Sequence, residues 1–183
     1  MRNVILLSSI KKSNYQSGVT LIELLLYMGI FSLLLMVFVQ LFGGIVNVNL
    51  ESQASSAVSQ DSRYILNQMT YTLRQAKTIA QPAGFGTANA GSQLQFTTSG
   101  GTTYTYSLSA DPVGQQKLML SDGVNVEQLN SAGTTISNLL FTRLQTTGTS
   151  GESTVTISFT LTSTTRAQKG YQQETFQTTV GKR

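Results

Sequence analysis

Between residues 24 and 42 the chain runs for 19 residues without a charged side chain, and only Ser32 and Gln40 are polar. At ~1.5 Å per residue a helix of that length covers roughly 28 Å, about the hydrocarbon thickness of a bilayer. The run therefore predicts a membrane-crossing helix, and whatever else the chain builds must lie on one side of it. The apolar piece at residues 4–7 is too short to span. Lys11 and Lys12 precede the run and no acidic residue lies before Gly18. The positive-inside rule then places the N-terminus in the cytoplasm.

The helical pattern continues past the apolar run. Leu50, Ala54, Ala57, Val58, Ile65, Met69, Leu73, Ala76 and Ile79 recur mostly at steps of three or four, with Glu51, Gln53, Asp61, Arg63, Gln68, Arg74 and Lys77 between them. This is the pattern of an amphipathic helix whose apolar stripe needs a partner. Pro82 and Gly84 are expected to end it. A break into two helices at Gly43 and Gly44 is the alternative. From residue 85 onward the chain reads as strands, over 92–97, 102–109, 117–120, 124–129, 136–145, 154–162 and 173–180. In Val155-Thr156-Ile157-Ser158-Phe159-Thr160-Leu161 every second residue is apolar, which puts the apolar side chains on one face. Turn signals lie at Ser99-Gly100-Gly101, at residues 111–114, at Asp122-Gly123 and at Gly148-Thr149-Ser150-Gly151. The expected fold class is α+β, with one long N-terminal α-helix, membrane-spanning in its first half and amphipathic in its second. The amphipathic half packs on an antiparallel β-sheet, because each offers an apolar face that nothing else covers. The expected segments are 1–18, a polar and basic head; 19–50, the apolar helix; 51–82, the amphipathic helix; and 83–183, a β-rich globular domain.

Composition removes several function classes. The 183 residues include no Cys, His or Trp. That excludes a Ser-His-Asp triad, an imidazole metal ligand, a thiol nucleophile and a thiolate zinc site. The net charge of +4 is not a nucleic-acid footprint. Three of the 12 basic residues precede Gly18, leaving nine against the eight acidic ones, and no later stretch clusters Lys and Arg with aromatics. Asp111, Asp122, Glu127, Glu152 and Glu174 are scattered, with no spacing that makes a catalytic carboxylate pair. Asp122, Asn125 and Glu127 near a turn carry the oxygen ligands that Ca²⁺ takes, but a polar hairpin is the expected reading. Tyr104, Tyr106, Phe141, Phe159, Tyr171 and Phe176 are expected in core and cross-strand packing rather than as a ligand platform. No enzyme, cofactor or metal site is expected.

The boundary between head and apolar run reads Gln16-Ser17-Gly18-Val19-Thr20-Leu21-Ile22-Glu23-Leu24-Leu25. Gly18 lets an enzyme approach the backbone closely; its blander reading is a break between head and helix. Glu23 is an ionisable side chain at the edge of an apolar run. Near a bilayer centre a carboxylate costs on the order of 2.5–3.5 kcal/mol on insertion scales, so it calls for a partner; its blander reading is a solvated boundary carboxylate.

This decapeptide resembles the class III signal of type IV prepilins and pseudopilins. In that family a basic leader ends in Gly, the next residue becomes the mature N-terminus, and Glu stands fifth in the mature chain. The resemblance implies cleavage by a prepilin peptidase between Gly18 and Val19, N-methylation of Val19, and an assembly role for Glu23 opposite the N-terminal amine of a neighbouring subunit. It implies other pilin or pseudopilin subunits as partners, with a membrane platform protein and an assembly ATPase, and membrane lipid around the helix before assembly. The implied location is the bacterial cytoplasmic membrane as a single-pass protein, then an extracytoplasmic filament. Val19 stands where Phe is commonest, the family's frequent helix Pro is missing, and no Cys pair closes a C-terminal loop. The missing Cys pair and the long body point to a minor pilin rather than a major one. Residues 62–76 look like the matching helix of minor pilins and J-type pseudopilins. A pseudopilin of a type II secretion or DNA-uptake system is the alternative within the family. A single-pass anchored binding domain and an ordinary secreted domain are alternatives outside it, but neither accounts for Gly18 to Glu23.

Overall fold

The computed structural model of the chain describes residues 18–145 and 153–181. Most of the basic head, the expected turn at residues 148–151 and Glu152 lie outside the described residues. Helix α1 spans Leu21–Arg74, and Gly43 and Gly44 lie inside it rather than at a break. The strands are β1 (Ala76–Gln81), β2 (Leu94–Thr98), β3 (Thr103–Ala110), β4 (Gln116–Ser121), β5 (Val126–Gln128), β6 (Thr134–Gln145), β7 (Ser153–Ala167) and β8 (Gly170–Gly181). The chain divides into two compact units, Met1–Gly44 and Ile45–Arg183.

In the first unit, every residue from 21 to 42 is exposed, large apolar side chains included. The helix there is long and apolar enough to cross a membrane. Helix formation itself needs nothing from a partner, because each backbone group after the first turn is satisfied within the helix.

In the second unit, the rest of α1 buries a stripe made of Ala54, Val58, Asp61, Ser62, Ile65, Met69, Thr72 and Leu73. Steps of three and four keep these residues on one face. Arg63, Asn67 and Arg74 point to solvent. The stripe packs into one core with both sheets: Val58, Ile65, Met69 and Leu73 join Leu94, Phe96, Tyr106, Leu118, Ile136, Phe141 and Leu161, among others. Thr72 fixes the contact with a buried hydrogen bond of 2.6 Å between its hydroxyl and that of Tyr106. Burial pushes the Tyr106 phenol up from 10.0 to about 12, although the bond to Thr72 pulls the other way.

The strands form two sheets, not the single one expected. One has the order β1-β2-β3-β4-β5 and the other β6-β7-β8, with every neighbouring pair antiparallel. The first sheet stops because β5 has only three residues and the chain then turns. Asn130 takes over a ladder position: its Oδ1 accepts from Leu118 N at 2.8 Å. The sheets are tied by Gly91 and Phe141, whose backbones exchange bonds of 3.0 and 2.7 Å. Arg143 adds a second tie, donating from Nη1 to Ile79 O at 3.2 Å. In β7, Val155, Ile157, Phe159 and Leu161 are fully buried while Thr154, Thr156, Ser158 and Thr162 are half-buried on the other face. The seven expected strands are all present, with ends displaced by up to five residues.

Two further expectations fail. The amphipathic helix does not reach residue 82: it ends at Arg74, and residues 76–81 are strand β1. The register of β1 against β2 shifts between Ala76 and Thr78 and again between Ile79 and Gln81. These irregularities stretch the burial period from two to three, so Ala76 and Ile79 are buried with two exposed residues between them. A bulged strand thereby imitates helical spacing. Pro82 terminates β1, not the helix, since it has no N–H to offer a ladder.

The second failure is Asp61, expected among the polar residues between the apolar positions. It is buried in the stripe. Its Oδ2 accepts from Ser131 N at 2.9 Å, from Ser131 Oγ at 2.8 Å and from Thr134 Oγ1. Lys117 is buried nearby and donates to Ser131 O at 3.2 Å and Thr134 O at 2.6 Å. Ser131 and Thr134 thus stand between an acid and a base, giving donors to one and carbonyls to the other. This arrangement satisfies both buried groups without direct contact.

Candidate functional site

The head of α1 is built by a local signal. Thr20 precedes the first helical residue, and its carbonyl accepts from Glu23 N and Leu24 N, both at 3.1 Å. Its hydroxyl also accepts from Glu23 N at 3.4 Å. Thr at the cap with Glu three residues later is the capping-box spacing. Glu23 lies in the first turn, where the helix dipole favours an acidic side chain. Tyr27, one turn on, donates its hydroxyl to Glu23 Oε1 at 2.9 Å. The spacings of Thr20 and Tyr27 from Glu23 were present in the sequence. Neither partner was anticipated from it.

Gly18 and Val19 are non-helical and exposed, immediately before this cap. A Cβ built on Gly18 meets nothing within 4 Å, and its φ lies outside the left-handed region that favours glycine. Among the described residues, nothing in the fold demands glycine at position 18. Beyond Glu23 the helix offers an unbroken apolar surface. Leu24, Tyr27, Met28, Ile30, Phe31 and Leu34 line one shallow groove along it, and a second follows at Ile30–Leu41 positions including Val37 and Phe38. Gly18, Val19 and Glu23 lie within one short segment, and among the described residues the Glu23 carboxylate is held by one neutral donor, Tyr27. Such a group on an apolar rod can pair with a cationic donor from another molecule.

The other acids shape turns. Asp111 Oδ1 accepts from Val113 N at 2.9 Å and Gln115 N at 2.8 Å. Asp122 Oδ1 accepts from Val124 N at 2.9 Å and Asn125 N at 2.6 Å, while Asn125 Nδ2 donates to Asp122 Oδ2 at 3.3 Å. These bonds, the one from Asn125 N foremost, hold the Asp122 carboxyl below its usual value. Glu127 faces a different way, accepting from Tyr64 Oη at 3.3 Å. Burial and then the Glu127 charge raise the Tyr64 phenol above 10.0. Asp122 and Asn125 thus bond each other, while Glu127 bonds Tyr64.

Of the aromatics, Tyr106, Phe141 and Phe159 are fully buried. Phe159 packs on Phe176 with ring centres 5.7 Å apart, and Phe96 lies 5.7 Å from Tyr104 and 6.3 Å from Tyr106. Tyr171 is the exception, exposed beside the β7–β8 turn.

A family model described as the prokaryotic N-terminal methylation motif matches residues 13–39. Comparisons with curated proteins and with solved structures gave no match. The motif implies processing by a prepilin peptidase and assembly with other pilin subunits, and together with the apolar helix it fits a membrane-anchored pilin. It points to a structural subunit. The chain carries the N-terminal methylation motif, the class III signal that marks type IV pilins and pseudopilins, at the head of a pilin-like α+β architecture.

Proposed function

We propose that the protein is a minor subunit of a type IV pilus or related filament, made as a precursor with a leader of residues 1–18. The head stays in the cytoplasm, the apolar part of α1 crosses the cytoplasmic membrane, and the β-rich domain lies outside. A prepilin peptidase cleaves between Gly18 and Val19 and methylates the new amine of Val19. Glu23 then receives the N-terminal amine of a neighbouring subunit as the helix leaves lipid for the filament core. A platform protein and an assembly ATPase drive that transfer. A pseudopilin of a secretion or DNA-uptake system would use the same N-terminal steps.

The observation that carries this reading is the segment from Gly18 to Glu23 set directly before an uncharged, fully exposed helix. Among the described residues Gly18 has open space around it, so a side chain there would disturb none of them. A requirement for glycine there comes from a molecule that must approach the backbone. The exposed apolar surface after Glu23 needs lipid or other helices, and the transfer between those two apolar settings costs little. Intact mass and N-terminal sequencing, on protein from membranes of a host with a prepilin peptidase, test it. A chain starting at Val19 with one added methyl group is the expected result. A start at Met1 or beyond Phe42 would replace the filament subunit with an anchored or secreted domain.

A further inference from the structure

The turn between β7 and β8 is fastened to α1 just after the apolar run. Asn47 Nδ2 donates to Gln168 Oε1 at 3.2 Å, and Lys169 Nζ lies 3.1 Å from Glu51 Oε1. Asn47 is five residues past Phe42, the last residue of that run. Five residues reach at most about 18 Å in any conformation, and ~7.5 Å as helix. The polar headgroup layer extends roughly 5–8 Å beyond the hydrocarbon. A charge outside that layer still feels the surface across a Debye length of ~8–10 Å. If α1 crosses a bilayer, the β7–β8 turn is confined to its near neighbourhood.

The turn carries the side chains suited to that place. Arg166 and Lys169 are exposed cations, and Tyr171 is an exposed ring with a polar tip. The Arg166 guanidinium lies 6.0 Å above the Tyr171 ring. Glu51 is the acid in contact with the turn, and its bond to Lys169 is between side chains 48 % and 83 % exposed. A pair so open to water is weak, and Lys169 can exchange Glu51 for a phosphate. Aromatic residues with polar tips and basic residues are the side chains enriched where membrane meets water.

We propose that, while the subunit is anchored by its apolar helix, the β7–β8 turn docks on anionic lipid headgroups through Arg166, Lys169 and Tyr171. This rests on the membrane-anchored reading given above. Two cations are too few for a nucleic-acid track, and the confinement of the turn near the span selects lipid over an acidic protein. Docking holds the β domain at the surface in a pose that assembly must release, since the filament offers no headgroups.

The chain has no Trp, so Tyr171→Trp places a single, selectively excitable tryptophan on the turn. The full chain carrying it is reconstituted in nanodiscs of phosphatidylcholine alone, or with about one third phosphatidylglycerol, each doped with headgroup-proximal quencher lipid. The expected result is about fivefold greater occupancy of the quenched state in the anionic discs, the effect of roughly one net cation near such a surface. Arg166→Gln combined with Lys169→Gln abolishes the difference, and so does about 1 M salt, which shortens screening to ~3 Å. Equal quenching in both lipids, or none in either, overturns the docking proposal while co-elution with the discs leaves the anchor intact. Quenching relieved by added DNA or acidic peptide but indifferent to lipid charge assigns the turn to those partners and also overturns it. Failure to co-elute with discs removes the anchored reading and the docking with it.

Discussion

Helix α1 is one element with two surfaces. From 21 to 42 its side chains are almost all apolar and all exposed; from Ala54 to Leu73 a narrow stripe is buried and most of the rest is polar. The first stretch has no preferred face, so nothing in it distinguishes one apolar neighbour from another. Only Glu23, with its Tyr27 bond, marks an orientation. The second stretch is directional: Ile65 and Met69 are fully buried, and each contributes about 1.5–3 kcal/mol by leaving water. A helix surface made for exchange among partners differs from one made for a single fixed partner in exactly this distribution of apolar residues around the axis.

That contrast can be broken at several points. The largest effect is expected at Gly18→Phe, which should leave essentially all of the protein as full-length precursor; immunoblots of membranes that show normal mature chain would detach the apolar half from pilin processing. Glu23→Ala should permit cleavage yet lower incorporation into sheared filaments by tenfold or more, about 1.4 kcal/mol or above. Unchanged incorporation would leave the apolar half with no orientation mark. For the buried half, Ile65→Ala should destabilise the unit Ile45–Arg183 by about 2–5 kcal/mol in urea unfolding. Leu34→Ala in the full chain should leave the β domain's unfolding within about 0.5 kcal/mol of the parent. Similar losses at both positions would erase the distinction.

A smaller effect sharpens it. Tyr106 has a folded-state pKa near 12 against 10.0 when exposed. Its neutral form is favoured by the fold, so the contribution is complete below pH 10 and is lost as pH rises toward 12. Alkaline titration of the unit should lose roughly 2–3 kcal/mol over that window. Tyr106→Phe should flatten this part of the profile and cost about 1 kcal/mol at neutral pH through the Thr72 bond.

Much of this was readable from the chain alone. An uncharged 19-residue run leaves few options, and strict alternation at Val155 to Leu161 locates β7 without ambiguity. The motif at residues 16–25 is local, so its chemistry needs no tertiary information. What stayed hidden depends on partners far apart in sequence. Nothing near Asp61 announces that Ser131 and Thr134, 70 and 73 residues on, supply its donors. Nor does a period of three at Ala76 and Ile79 disclose a bulged strand, because the bulge exists only against β2. Nor can composition reveal that, where the first sheet ends, the Asn130 side chain occupies a ladder position.

The Asp61 contact has a mechanical meaning. Were the chain to serve in a filament held together by such helices, tension would enter along α1 and pass to the sheets. Apolar side chains alone would let the helix creep, since one greasy contact substitutes for the next. Asp61 does not permit that. A slip of one residue, ~1.5 Å along the axis with a turn of the helix face, removes the carboxylate from Ser131 and Thr134 together. Stranding a charge in the core costs several kcal/mol at once. Asp61 thus joins the Thr72–Tyr106 bond and the packed stripe in resisting a slide of the helix over the sheets.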